Sequence, residues 1–302
     1  MTRKRKSRGF LRGLKGLYEK KYKQLFIIPI VLAFIQIGVQ TATTGDFMNK
    51  GVSLSGGVSI TIQTDADFNA GNLERTLEGA FPDLDVEVRS LSSAGITNGL
   101  IASADIQIED DQKVQAFEDR IASELGITLT DDNSNVEMIG STLGASFFQT
   151  TIRAVFLAFL AMGVVVFIYF RTFAPSAAVM LAAFSDIIIT LAIANVIGMK
   201  ITTAGIAAFL MMIGYSVDTD ILLSVRVLKK RGGDVMERVY NAMRTGVTMT
   251  VSTMVALLIA IIVAQSQVLD QIMTILLIGL FVDLINTWIQ NVAIIRMYLE
   301  RK

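Results

Sequence analysis

Four aspartates stand inside long apolar runs of this chain: Asp186, Asp218, Asp220 and Asp283. A carboxylate at the centre of a membrane helix costs roughly 2.5–3.5 kcal/mol on insertion scales. Acids in such places hold ions, relay protons or pair with buried donors. Asp218 and Asp220 share the stretch Ile213-Gly214-Tyr215-Ser216-Val217-Asp218-Thr219-Asp220-Ile221-Leu222-Leu223. Two positions on a helix are about 200° apart, so both cannot enter one narrow site. Asp218 lies deeper and is expected to face the bundle. Asp220 lies nearer Arg226 and the inner interface and is expected to be partly hydrated. Proton or ion transfer is the functional reading of Asp218. The bland reading is a neutral acid hydrogen-bonded to Ser, Thr or Asn on another helix.

Other polar residues in apolar runs extend the candidate set. Asp186 sits in Ala183-Phe184-Ser185-Asp186, and Asp283 is followed by Asn286, Thr287, Gln290 and Asn291. The stretch Arg244-Thr245-Gly246-Val247-Thr248-Met249-Thr250-Val251-Ser252 opens another run. Thr248 and Ser252 share a helix face, where their hydroxyls would satisfy a carboxylate or hold water. The alternative is that each bonds back to its own helix. Arg153 and Arg171 bracket one run and read as interface anchors. The chain has no cysteine and no histidine, which removes disulfides, thiolate metal sites and the usual general base. No metal, cofactor or enzymatic activity is expected.

These residues need a membrane to give them meaning. Of 302 residues 52% are hydrophobic, and the mean hydropathy is +0.55, as in a multi-span membrane protein. Six apolar runs are separated by polar stretches: 25–41, 152–170, 176–197, 201–223, 247–265 and 272–295. Each is long enough to cross roughly 30 Å of hydrocarbon as a helix. Residues 1–23 carry ten Lys or Arg against Glu19. With no clear cleavage site after the first run, it reads as a retained span rather than a signal peptide. Positive-inside orientation explains the basic head more simply than nucleic-acid binding. With the amino end inside, Arg171, Arg226, Lys229, Lys230, Arg231, Arg238, Arg244, Arg296, Arg301 and Lys302 all fall on the same inner side, as does the carboxyl end.

Residues 42–150 then lie outside, with 18 acids and 5 bases. Period-2 and period-3.6 patterns predict strands at 58–64, 85–91, 100–108 and 135–139 and helices at 70–81 and 111–125. The order β-α-β-β-α-β is that of the ferredoxin-like fold. The expected architecture is therefore a basic segment 1–23, a first span 24–41, an extracytoplasmic ferredoxin-like α+β domain 42–150, and a five-span bundle 151–302. Gly51, Gly56 and Gly57 suggest tight turns where the chain enters the sheet. No Lys follows at Walker spacing, so nucleotide hydrolysis is not expected.

One span, a large outer domain and five more spans resemble the half-unit of the resistance-nodulation-division superfamily. Within it the motifs are similar to those of the SecD/SecF protein-export family, in its smaller, SecF branch of archaeal type. Gly51-Val52-Ser53-Leu54-Ser55-Gly56-Gly57 is similar to that branch's G-I-D-F-T-G-G. Ile213-Gly214-Tyr215-Ser216-Val217-Asp218 through Arg226 is similar to its I-G-Y-S-I-N-D-T-V-V-V-F-D-R, and Arg244-Thr245 to its R-T-I-N-T-S. Asp218 stands where the bacterial SecF pattern has Asn and SecD has Asp; Thr219 replaces the bacterial Asp. The resemblance implies a multi-pass subunit of the cytoplasmic membrane, paired with SecD, acting near the Sec channel on translocating polypeptide. It also implies proton coupling through the fourth-span carboxylate. The competing readings are an exporter of lipids or small molecules and a passive scaffold whose acids only fix packing.

Overall fold

A computed structural model describes residues 27–66, 68–93, 96–107, 109–228, 234–264 and 266–300. The basic head 1–23, the start of the first apolar run, Lys229-Lys230-Arg231 and Arg301-Lys302 lie outside the described residues.

Helix α1 (Ile27–Thr44) leads through a one-turn helix α2 (Val52–Ser55) into β1 (Gly57–Gln63), α3 (Ala70–Ala80), β2 (Val86–Ser93), β3 (Ile96–Ala104), α4 (Asp111–Leu125) and β4 (Ser134–Ile139). The strands form one antiparallel sheet in the order β2-β3-β1-β4. Alternation drives it: Val58, Ile60 and Ile62 point into one core, while Ser59 meets Ser103 on the opposite face with their hydroxyls 3.0 Å apart. Both helices cover the apolar face. Helix α4 starts where the Asp110 carboxylate accepts the Lys113 amide at 3.2 Å, and ends at Gly126 with φ 65°; that is a side-chain N-cap and a left-handed C-cap. Its Val114, Phe117 and Ile121 recur at helical spacing and are all buried. Burying such a side chain contributes about 1.5–3 kcal/mol. Strand β3 spans 96–104 rather than 100–108, because it closes a hairpin on β2, pairing Ser93 with Ile96.

The remaining helices are α5 (Ser141–Phe170), α6 (Phe173–Val196), α7 (Thr203–Leu228), α8 (Val235–Val263), α9 (Gln267–Asn286) and α10 (Val292–Glu300). A π turn at Thr287–Asn291 joins the last two. Among the described residues, five helical stretches, the last running from Val268 to Glu300, are long and apolar enough to cross a membrane; the apolar part of α1, Ile30–Thr44, is shorter. Helices α6 and α7 are more than half buried, whereas α5 and α8 leave most of their apolar surface exposed. Helix α5 begins at Ser141 rather than at 152. Its first turn packs on α2 at Gly56 and Gly144, where a Cβ on either would lie 2.6–2.7 Å from the other segment's backbone. Gly56 also has φ +89°, a conformation that favours glycine.

The sheet end of the bundle is tied to the sheet domain by hydrogen bonds and by two ion pairs of Lys200. Gly51 N donates to Ile201 O and Ile201 N to Asn49 O, both at 2.8 Å. Ser53 Oγ accepts from Thr203 N at 3.0 Å, at the start of α7. Lys200 Nζ lies 3.0 Å from Asp85 and 4.0 Å from Glu87 of β2. Gln271 holds the same loop, donating to Lys200 O at 2.7 Å and accepting from the Thr202 hydroxyl.

Candidate functional site

Inside the bundle, three of the four candidate acids meet. Asp186 of α6, Asp220 of α7 and Asp283 of α9 are all buried, at 0–1% exposure. Asp186 accepts from Ser216 Oγ at 2.5 Å and from Asn286 Nδ2 at 2.7 Å. Asp220 Oδ1 accepts from Asn291 Nδ2 at 2.6 Å and Thr287 Oγ1 at 3.0 Å. Asp283 accepts from Thr219 Oγ1 at 3.0 Å and Thr287 Oγ1 at 3.0 Å.

Local sequence explains the convergence. On α7, Ser216, Asp220 and Ser224 repeat every four residues and fall on one face, and all three are buried. On α9, Asp283, Asn286 and Thr287 lie one turn apart, and the π turn brings Gln290 and Asn291 inward as well, both at 0–1% exposure. A π turn inside a long helix often marks a functional position. Here it adds amide groups to the carboxyl cluster.

Hydrogen-bond counting says what the cluster holds. The single Thr287 hydroxyl proton serves one acceptor at a time, yet its oxygen is 3.0 Å from carboxyl oxygens of both Asp220 and Asp283. Both contacts are hydrogen bonds only when one carboxyl brings a proton. Among the described residues the hydrogen-bond donors to the three carboxyls are hydroxyls and amides, with no lysine or arginine. This chemistry accommodates transferable positive charge in a low-dielectric interior.

The expected facing of the α7 acids is reversed. Asp218 is exposed and Asp220 fully buried. Depth along the helix did not decide the matter; the buried face is the one shared by Ser216, Thr219, Ser224 and the polar residues of α6 and α9. Among the described residues no hydrogen bond or ion pair is made by the Asp218 carboxylate. Thr248, Ser252 and Arg244 do not join the cluster either. All three are exposed; Thr248 Oγ1 donates to Arg244 O and Ser252 Oγ to Met249 O, each at 2.8 Å. Helix α8 instead buries the face of Ala242, Gly246 and Thr250. Arg226 braces α7 on α8, donating to Asn241 O at 2.9 Å and Thr245 Oγ1 at 2.8 Å. Gly214 and Tyr215 lie on the exposed face with Asp218. The sequence reading missed Ser216, Thr219 and Ser224. The signal was available in the four-residue repeat of small polar side chains that includes Asp220 and omits Asp218.

Comparison with known proteins adds a family. The profile described as "Protein export membrane protein SecD/SecF, C-terminal" matches residues 124–301. The protein-export membrane protein SecF of Pyrococcus furiosus is 34% identical over 292 residues, covering 96% of this chain and 95% of the relative. That of Methanocaldococcus jannaschii is 37% identical over 286 residues, covering 93% and 96%. Among solved structures, SecDF of Thermus thermophilus, a translocon-associated membrane protein, aligns with a TM-score of 0.70 at 20% identity. The alignment covers 93% of this chain and 38% of that one, so the chain spans well under half of SecDF.

Proposed function

This chain belongs to the SecF family of protein-export membrane proteins, and from that premise we propose that it works with a SecD partner to assist polypeptide export at the Sec channel. In this reading α1 belongs to the first of six spans. The sheet domain is the extracytoplasmic, ferredoxin-like unit that engages emerging chain. Both termini face the cytoplasm, and the division at 42–150 and 151–302 separates outer domain from bundle. The subunit catalyses no covalent chemistry. Its movement is driven by ion exchange at the carboxyls of Asp186, Asp220 and Asp283. One charge crossing 100 mV releases about 2.3 kcal/mol, so repeated cycles bias the movement of a segment.

The observation that carries the coupling is the cluster itself: three buried carboxyls whose hydrogen-bond donors, among the described residues, are all neutral. A packing role alone needs fewer acids. The working carboxylate on α7 is Asp220, since Asp218 faces away from the cluster. The partner is supported by Asp218: a carboxylate exposed at mid-membrane, as here, needs a second membrane subunit or water against it. The test is export of a secreted reporter from cells carrying Asp220→Asn, with pull-down of the native SecD. An assembled complex that fails to export supports coupling. An assembled and fully active complex reduces Asp220 to packing.

A further inference from the structure

Helix α1 is attached to the bundle along one side. It packs chiefly on α6, through the buried Ala33 and through the Phe34 ring, 6.5 Å from that of Phe184. Its last turns are held by Gln40, whose Nε2 donates to Asn49 Oδ1 at 2.6 Å. Another stripe of the helix is uncovered. Leu32, Gln36, Val39 and Thr43 follow one another at intervals of four, three and four residues, the a/d spacing of a helix-pair seam. Leu32 is 61% and Val39 58% exposed, and Thr43 is exposed as well. The Thr43 hydroxyl bonds back to Val39 O and Gln40 O, each at 3.0 Å, and is satisfied within its own helix.

Gln36 is the exception on this stripe. It lies about 5 Å along the helix axis from the middle of the apolar run 25–41, well inside the hydrocarbon. Among the described residues nothing donates to its Oε1, which is buried. An amide without partners is costly in an apolar medium. The side chain is only half-buried, so the amide can swing to the open side of α1, where lipid chains offer neither donor nor acceptor. The group that completes it has to come from protein at the same depth. A carboxamide carries both donors and an acceptor, so it is its own complement. In a two-fold pair whose axis runs along the membrane normal, Gln36 meets Gln36 at equal depth by symmetry. Any other protein has to supply a polar group at that depth by its own sequence. No residue of the stripe is charged, so two copies do not repel there.

We propose that the stripe of Leu32, Gln36, Val39 and Thr43 on α1 pairs with the same stripe of a second copy of this chain, the two Gln36 amides hydrogen-bonding to each other across the interface. A single polar position in an apolar seam fixes register and pairing. In lipid, whose tails are as apolar as the side chains, such interhelical bonds also supply part of the attraction. The contact is independent of the carboxyl cluster and of the Asp218 face, which lie on other helices.

The chain has no cysteine, so a single introduced one reports alone. Two differently tagged full-length copies, both carrying Val39→Cys or both carrying Thr43→Cys, are expressed together in cells with the native SecD, and their membranes are oxidised. The expected result is a disulfide-linked product that carries both tags. Gly38→Cys is the control. It sits at the depth of Val39 but about 100° round the helix from it, with nothing within 4 Å of where its Cβ would be, and should give little product. Adding Gln36→Leu to Val39→Cys should lower the linked fraction about five- to tenfold, whereas Gln36→Asn, which keeps the amide, should retain most of it. Absence of a two-tag product from both cysteines would overturn the proposal. So would equal yields from Gly38→Cys, or a yield that Gln36→Leu leaves unchanged. An adduct with a different polypeptide in place of the second copy would overturn it too, and would assign the stripe to that partner.

Discussion

Thr287 is the residue on which the cluster turns. Its hydroxyl sits between Asp220 and Asp283 at 3.0 Å from each, and a single proton decides which carboxyl it serves. Replacing it by valine keeps the shape and removes the switchable bond. One buried carboxyl oxygen then loses its donor, which costs about 1–3 kcal/mol when left unsatisfied, and the other carboxyl loses the acceptor for its proton. Thr287→Val is expected to lower the unfolding midpoint in detergent and to abolish export even where SecD is still pulled down. Thr248→Val is the matched control: the same change on an exposed hydroxyl that bonds Arg244 O, expected to stay within about 0.5 kcal/mol and to export normally. Equal effects of the two substitutions would remove the distinction between cluster and surface on which the site rests.

The pairing of α8 with the π turn shows how much packing, rather than pattern, sets the site. The Trp288 ring occupies the space over Gly246, where an added Cβ would fall 2.4 Å from Cζ2. Gly246→Ala therefore pushes the indole out of its seat and shifts Thr287, Gln290 and Asn291 with it. Overpacking of this kind typically costs about 1–3 kcal/mol, to be read as a lower thermal midpoint, and Trp288→Leu in the same chain should recover part of it. Neither partner stood out in the sequence, since a lone glycine and a lone tryptophan in apolar runs carry no period. What was legible followed from periodicity. The apolar runs marked the helices of the bundle, and the alternation at 58–62 and the spacing of Val114, Phe117 and Ile121 located strand and helix closely. The facing of Asp218 and Asp220 was not deducible from depth. Their separation of about 200° ensures that only one enters the cluster, but the rotation of α7 depends on which polar residues α6 and α9 offer. The repeat Ser216-Asp220-Ser224 held that information, and a search confined to charged residues passes over it.

At the scale of the whole molecule, Asp218 is the residue out of place. It lies near the middle of α7, a helix of 26 residues and so about 39 Å long, on an exposed face. Beside it Tyr215 is 44% exposed, and Gly214 has nothing within 4 Å of where its Cβ would be. Lipid chains supply no donor for a carboxylate, and an insertion cost of roughly 2.5–3.5 kcal/mol goes unrelieved while that face meets hydrocarbon. A small residue one turn from a polar one is also the composition that lets membrane helices approach closely and hydrogen-bond across. A second copy of this chain would bring Asp218 against Asp218, two like charges, so a different subunit with a donor or a cation at that depth fits better. With SecD as that subunit, benzoylphenylalanine at position 215 should cross-link to SecD on irradiation of the assembled complex. The same photoprobe at Leu157 on α5, 63% exposed, marks a face with no such polar demand and should give no SecD adduct. Asp218→Asn, which keeps hydrogen bonding and drops the charge, should weaken recovery of SecD less than Asp218→Leu. A SecD adduct from Leu157 and none from Tyr215 would move the interface to α5 and leave the exposed carboxylate to water.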